Sequence, residues 1–130
     1  MSIQASASLN VQIPSGPTFA VNWIVSADAY DRATVTVPKG LQAGKPGTTL
    51  ELQPALPAHA VQLLVFTSSD YSGSVTYNFG GNSWKVTEPQ IIAGPGLAGA
   101  LSFGQTIIFD TSAAAADVTI DVLVLRTALQ

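Results

Sequence analysis

Between Val61 and Phe79 the chain runs as an apolar block, a polar turn and an alternating return, and this stretch restricts the fold more than any other. Val61, Leu63, Leu64, Val65 and Phe66 lead into the turn Ser68–Gly73. Ser74-Val75-Thr76-Tyr77-Asn78-Phe79 then leaves it with a period of two. That period belongs to a strand with one buried face. The stretch therefore predicts a β-hairpin at the centre of a sheet.

The rest of the chain repeats the pattern. Leu9, Val11 and Ile13 alternate with Asn10 and Gln12 until Pro14-Ser-Gly-Pro17 stops the strand. Phe19–Ser26 reads as a second strand, apolar on both sides around Trp23, and Ala27–Asp31 as a turn returning through Arg32–Val37. Thr48–Gln53 is a short strand after the Gly/Pro/Lys loop Lys39–Gly47, and Pro54-Ala-Leu-Pro57 is a corner, since proline lacks the ladder donor. Gly80-Gly81-Asn82 turns the chain into Ser83–Thr87, predicted to set Trp84 and Val86 across from Phe79 and Tyr77. A brief strand Gln90–Ala93 precedes the small-residue loop that runs to Ala100.

Gly104–Asp110 and Asp117–Arg126 close the chain. Four alanines before the last segment favour a helix, but Val118, Thr119, Ile120, Val122 and Val124 are β-branched and alternate, which selects a strand. Phe66…Ser69…Val75-Thr76 is echoed by Phe109…Ser112…Val118-Thr119. Three long hairpins and about eight to ten strands define an all-β, single-domain antiparallel β-sandwich with jelly-roll or Greek-key-like connections. The domain spans 1–130, with residues 1–7 as a flexible N-terminal arm.

Charged residues make up 10% of the chain and apolar residues 47%, against about 25% charged in an ordinary soluble domain. So few charges leave apolar surface that is hidden by other copies or by a partner. The net charge is −3 with five basic residues scattered along the chain, whereas a nucleic-acid surface needs clustered cations. Cysteine is absent, which removes disulfides and thiolate metal sites. The first residues lack the cationic start and apolar block of a secretory signal, and no run is long enough to span a bilayer as a helix. The expectation is a chain made in the cytoplasm, without membrane or nucleic-acid partners, carried on a virion or another released particle.

No cofactor motif survives. Gly94-Pro-Gly-Leu-Ala-Gly99 has dinucleotide-fingerprint spacing but leads into a strand instead of the required helix. Gly40…Gly44-Lys45 resembles a phosphate loop, with Pro46 where Ser or Thr should bind magnesium. His59, the single histidine, sits in the Pro-rich corner without a nucleophile elbow to serve. Asp28 with Asp31, or Asp110 with Asp117, could hold calcium, although capping of turns accounts for them more simply. Asp121 interrupts an apolar strand and is expected at a sheet edge, or paired with Arg126 or a lysine.

The leading expectation is a non-enzymatic structural protein: a homo-oligomer or part of a larger protein lattice, such as a capsid-decorating, virion-surface or tail component. Its self-association would use two loops ordered only by contact, marked by Lys39 and Lys45 and by Gly94, Pro95, Gly96 and Leu97. The alternative is a lectin-like, carbohydrate-binding module in which Tyr71 and Trp84 stack on a sugar while Asp70 and Asn82 bind its hydroxyls. No catalytic residue, cofactor or metal is assigned.

Overall fold

The computed structural model describes residues 3–51, 61–79, 82–94 and 106–126. Among them every regular element is a strand: β1 (Ile3–Gln12), β2 (Thr18–Ala27), β3 (Ala29–Val37), β4 (Thr49–Glu51), β5 (Val61–Ser68), β6 (Thr76–Phe79), β7 (Asn82–Lys85), β8 (Gln90–Ala93), β9 (Thr106–Asp110) and β10 (Val118–Arg126). All pairings are antiparallel. Two four-stranded sheets, ordered β3-β10-β5-β8 and β4-β9-β6-β7, pack face to face, and β1 with β2 forms a separate two-stranded ribbon. The chain is an antiparallel β-sandwich carrying a hairpin arm.

Both sheets contribute to one core. Leu64 and Phe66 from β5 and Val118, Ile120 and Val122 from β10 meet Val75, Tyr77, Val86, Ile107 and Phe109 from the other sheet. Phe66 is fully buried and meets Tyr77 edge-on, with ring centroids 4.9 Å apart, and Phe109 at 6.0 Å. Val61 and Leu64, three residues apart, share the core face because of an irregularity in the β10–β5 ladder: Leu125 faces Leu63, but Arg126 faces Val61. The extra residue is Gln62, and bulging it puts Val61 and Leu64 in the core while Leu63 faces outward.

Most strands lie close to where alternation predicts them, β5 and β6 are interior strands, and the last segment is a strand. But β1 begins at Ile3, so residues 3–7, expected as a flexible arm, are paired strand, and β3 begins at Ala29, inside the expected turn. The three predicted hairpins, however, do not form. β5 pairs with β10 and β8, whereas β6 lies in the opposite sheet between β9 and β7. β9 and β10 are likewise in different sheets, and β3 leaves β2 to pair with β10. Each of these connections crosses between layers. The apolar faces of β5 and β6, and of β9 and β10, therefore meet across the core, while that of β2 lies on the outer side of the sheet holding β3. Alternation alone reads the same whether joined strands lie side by side or in different layers.

The two echoed segments are the crossings Ser69–Val75 and Thr111–Asp117. The first locks onto the start of β10, which the second leads into: Ser69 N–H donates to Thr119 O at 3.0 Å, Thr119 N–H donates to Ser69 Oγ at 2.9 Å, and Val75 and Val118 are fully buried. The β6–β7 register is also offset from expectation, with Trp84 opposite Tyr77 and Asn82 opposite Phe79. Val86 falls beside Val75, to which it donates a 2.9 Å backbone hydrogen bond.

The 39–47 loop is ordered from within the chain, which corrects the expectation that a partner must order it. The buried Thr111 hydroxyl donates to Pro38 O at 2.6 Å and accepts from Leu41 N–H at 3.2 Å. Asp117 Oδ1 accepts from Lys39 N–H at 3.0 Å, and Asp110 Oδ2 from Ala43 N–H at 3.2 Å. Thr111→Val keeps the shape of the side chain but strips two backbone groups of their partner. It is expected to cost about 1–3 kcal/mol in urea unfolding, and an unchanged midpoint would show that the loop is held by something else.

Candidate functional surface

The ribbon β1–β2 is the most unusual surface of the molecule. Each strand is ten residues long, about 33 Å at the usual rise. The register Ala5↔Val25, Ala7↔Trp23, Leu9↔Val21 and Val11↔Phe19 places apolar residues on one face for its whole length. The other face carries Gln4, Ser6, Ser8, Asn10 and Gln12 opposite Thr18, Asn22 and Ser26, with Ala20 and Ile24 as its apolar members. No charged residue precedes Asp28. At the tip, Pro14 and left-handed Ser15 (φ 58°) form a turn closed by Gly16 N–H donating to Ile13 O at 2.8 Å. A Cβ on Gly16 would lie 2.9 Å from Ile13 Cγ2, so any larger residue there forces Ile13 to shift.

Half of the apolar face is used within the chain. Val25 and Ala27, with Ala5 and Trp23 beside them, pack on Leu63 and Leu125 at the outer face of the β3-β10-β5-β8 sheet. A backbone hydrogen bond from Asp28 N–H to Arg126 O at 2.9 Å fixes the root of the arm. Beyond that root every residue from Ser8 to Ala20 is exposed. Leu9 and Val11 are each 43% accessible and Phe19 60%. A two-stranded ribbon with an uncovered apolar face has little to stabilise it in water.

The sheet beneath the root is only partly covered. Tyr30 and Ile91, at its two edges, are 61% and 50% accessible. Tyr30, Arg32, Val65, Thr67, Asp121 and Leu123 line a shallow depression of about 420 Å³ next to the arm root. Further along, the same face turns polar with Thr34, Thr36 and Thr119, the alternation of a solvated sheet face.

Asp121 lies on the interior strand β10, not at an edge, and its partner is Arg32. Arg32 Nη2 donates to Asp121 Oδ2 at 3.0 Å and Nε to Oδ1 at 3.4 Å, with Thr34 Oγ1 donating at 3.4 Å. The Arg32 hydrogen bond holds the Asp121 carboxyl below its ordinary range, and the same bond raises the Arg32 guanidinium. Arg126 pairs instead with Asp31. Both arginines are drawn to carboxylates on neighbouring strands because cross-strand neighbours are nearest.

The proposed sugar-binding residues do not converge. Tyr71 is taken up by its own turn, its hydroxyl accepting from Ser68 N–H at 3.1 Å, while Asp70 Oδ1 accepts from Ser72 N–H at 2.8 Å. Ser72 hydrogen bonds lower the Asp70 carboxyl. Trp84 stacks on Tyr77 at 5.8 Å and packs against the core, so one ring face is occupied. Asn82 sits opposite Phe79, at the end of β6 remote from the 68–75 crossing. Asp110 likewise caps its own turn, accepting from Ser112 N–H and Oγ, and these bonds lower its carboxyl.

Among the described residues no group of three or more His, Cys, Asp or Glu stands together as metal ligands, and no helix is long and apolar enough to cross a membrane. Gly94 donates its N–H to Gln62 O at 2.8 Å, while Lys39 and Lys45 lie in the internally ordered loop. Pro95, Gly96, Leu97 and His59 lie outside the described residues, as do the glycines that would complete the 94–99 fingerprint. The sequence reading missed the arm as a unit. Its signal was present as a charge-free stretch to Ala27 holding two alternating strands around a Pro-Ser-Gly-Pro turn.

Fold and surface thus define an antiparallel β-sandwich with an amphipathic hairpin arm. No protein-family model, curated protein or solved structure matches the chain.

Proposed function

We propose that the chain is a non-enzymatic structural protein that associates with copies of itself, as a unit of a larger assembly such as a capsid-decorating, virion-surface or tail component. The observation that carries this reading is the arm, whose uncharged apolar face stands clear of its own body from Ser8 to Ala20. Apolar surface presented on an ordered, projecting element marks a contact with another macromolecule. Low overall charge supports the same reading, because little electrostatic repulsion opposes close packing of copies.

The pairing of the sandwich strands is nested: β3 with β10, β4 with β9, β5 with β8 and β6 with β7. This nesting supports a jelly-roll winding, an architecture found in capsid and lectin domains alike. Fold analogy does not choose between those two; the arm does, since it offers apolar area and the lectin residues are scattered.

Light scattering on a size-exclusion column tests the proposal. The expected result is a mass at a multiple of 13.4 kDa that grows with concentration. A single species at the monomer mass throughout the micromolar range would overturn it.

A further inference from the structure

The arm uses one continuous apolar face in two ways. Its root rests on Leu63 and Leu125, and its outer half is exposed, with no packing partner among the described residues. Val65 and Leu123 pack against the root and also line the neighbouring depression. The surface that accepts the root therefore continues into a surface of the same chemistry that is open.

We propose that the outer half of the arm of one copy seats on this open part of the sheet of a second copy, with Leu9, Val11 and Phe19 entering the depression beside Tyr30, Val65 and Leu123. This rests on the self-association reading and specifies its interface. Three observations select a second copy as the occupant. The face of the arm that would dock is the one whose inner half already packs on this sheet, so the fit of the two surfaces is realised once within each chain. The contact must be made between chains, because Asp28 fixes the root to Arg126 and the arm runs outward from it, exposed over Ser8–Ala20. The charges also match: the arm has none, and among the described residues the ions lining the depression, Arg32 and Asp121, neutralise each other. An uncharged ribbon can cover a closed ion pair without stranding an unpaired charge.

Because arm and depression are different surfaces, the contact closes when two copies exchange arms reciprocally and otherwise runs head to tail. Both arrangements hide the same side chains.

The absence of cysteine makes the test clean. Val11→Cys and Tyr30→Cys both alter exposed positions, so the fold tolerates them. The two variants, one carrying a mass tag, are mixed and mildly oxidised. Disulfide-linked heterodimer is expected to form at least an order of magnitude faster than between Val11→Cys and Ser112→Cys, whose cysteine lies on the crossing before β10, at the end remote from Arg126. Light scattering on the untreated protein is run alongside. Oligomers with no preference for the Tyr30 pair would overturn this interface and leave self-association standing. A monomer at every concentration would overturn both. A solvatochromic dye on Val11→Cys supplies the last arm: a blue shift with neutral phosphatidylcholine vesicles, but not with unlabelled protein, would assign the arm to lipid and overturn the proposal.

Discussion

Phe66→Ala is expected to lower the free energy of unfolding by about 3–5 kcal/mol, a large part of the ~5–15 kcal/mol that holds a domain of this size together. Phe66 comes from the sheet that carries the arm, while the rings it touches, Tyr77 and Phe109, come from the other sheet. All three are buried, Phe66 and Phe109 completely. Removing the ring deletes its burial and two edge-to-face contacts, and hydrogen-bonded sheets cannot move together far enough to fill the space. Phe66→Leu, which keeps most of the volume, should cost about 1–2 kcal/mol. Urea denaturation followed by far-UV circular dichroism measures both. A loss below ~1 kcal/mol for the alanine variant would mean that the sheets are not joined through this cluster.

The same residue shows how far the sequence could be read. Phe66 was visible as a core residue because it ends an apolar block, and the polar turn after it was visible through Ser, Asp and Gly. Its pairing was not visible. A chain that turns back beside itself and a chain that crosses to the facing sheet have the same alternation, and the choice is made by distant β10 and β9, which supply the partners of β5 and β6. The echo between the two crossings was present in the sequence, but its meaning depends on the first locking onto the start of β10 through Ser69 and Thr119. Asp121 was misplaced for a related reason. A carboxylate in an apolar strand looks like an edge device, yet on β10 it points from the outward face, where Arg32 of the adjacent strand reaches it. At the candidate surface, adjacent Leu63 and Leu64 already implied a strand covered on both sides. Only the three-dimensional arrangement shows that the outer cover is the arm root.

Val25→Asp is the second substitution with a large expected effect, and it separates the arm from the sandwich. Val25 is 7% accessible, and with Ala27, Leu63 and Leu125 it forms a cluster apart from the main core. An aspartate there would be buried with no cation among these packing partners, which is costly enough to drive the root off the sheet. Because the main core draws on other residues, the sandwich should remain folded and lose about 2–4 kcal/mol, the stabilisation of the covered Leu63 and Leu125 together with Val25 itself. Trp23 packs beside the cluster while Trp84 stacks on Tyr77, so in a Trp84→Phe background the emission reports on the root alone. The expected result is a red shift under native conditions with the far-UV spectrum and a single cooperative unfolding transition retained. Complete unfolding would show that the arm is built into the domain and is not a separate layer upon it, and an unshifted emission would show that Val25 is not what holds it down. The distinction matters for assembly: an arm held at its root by a handful of side chains leaves its apolar outer half exposed, where a covering surface from another molecule would stabilise it.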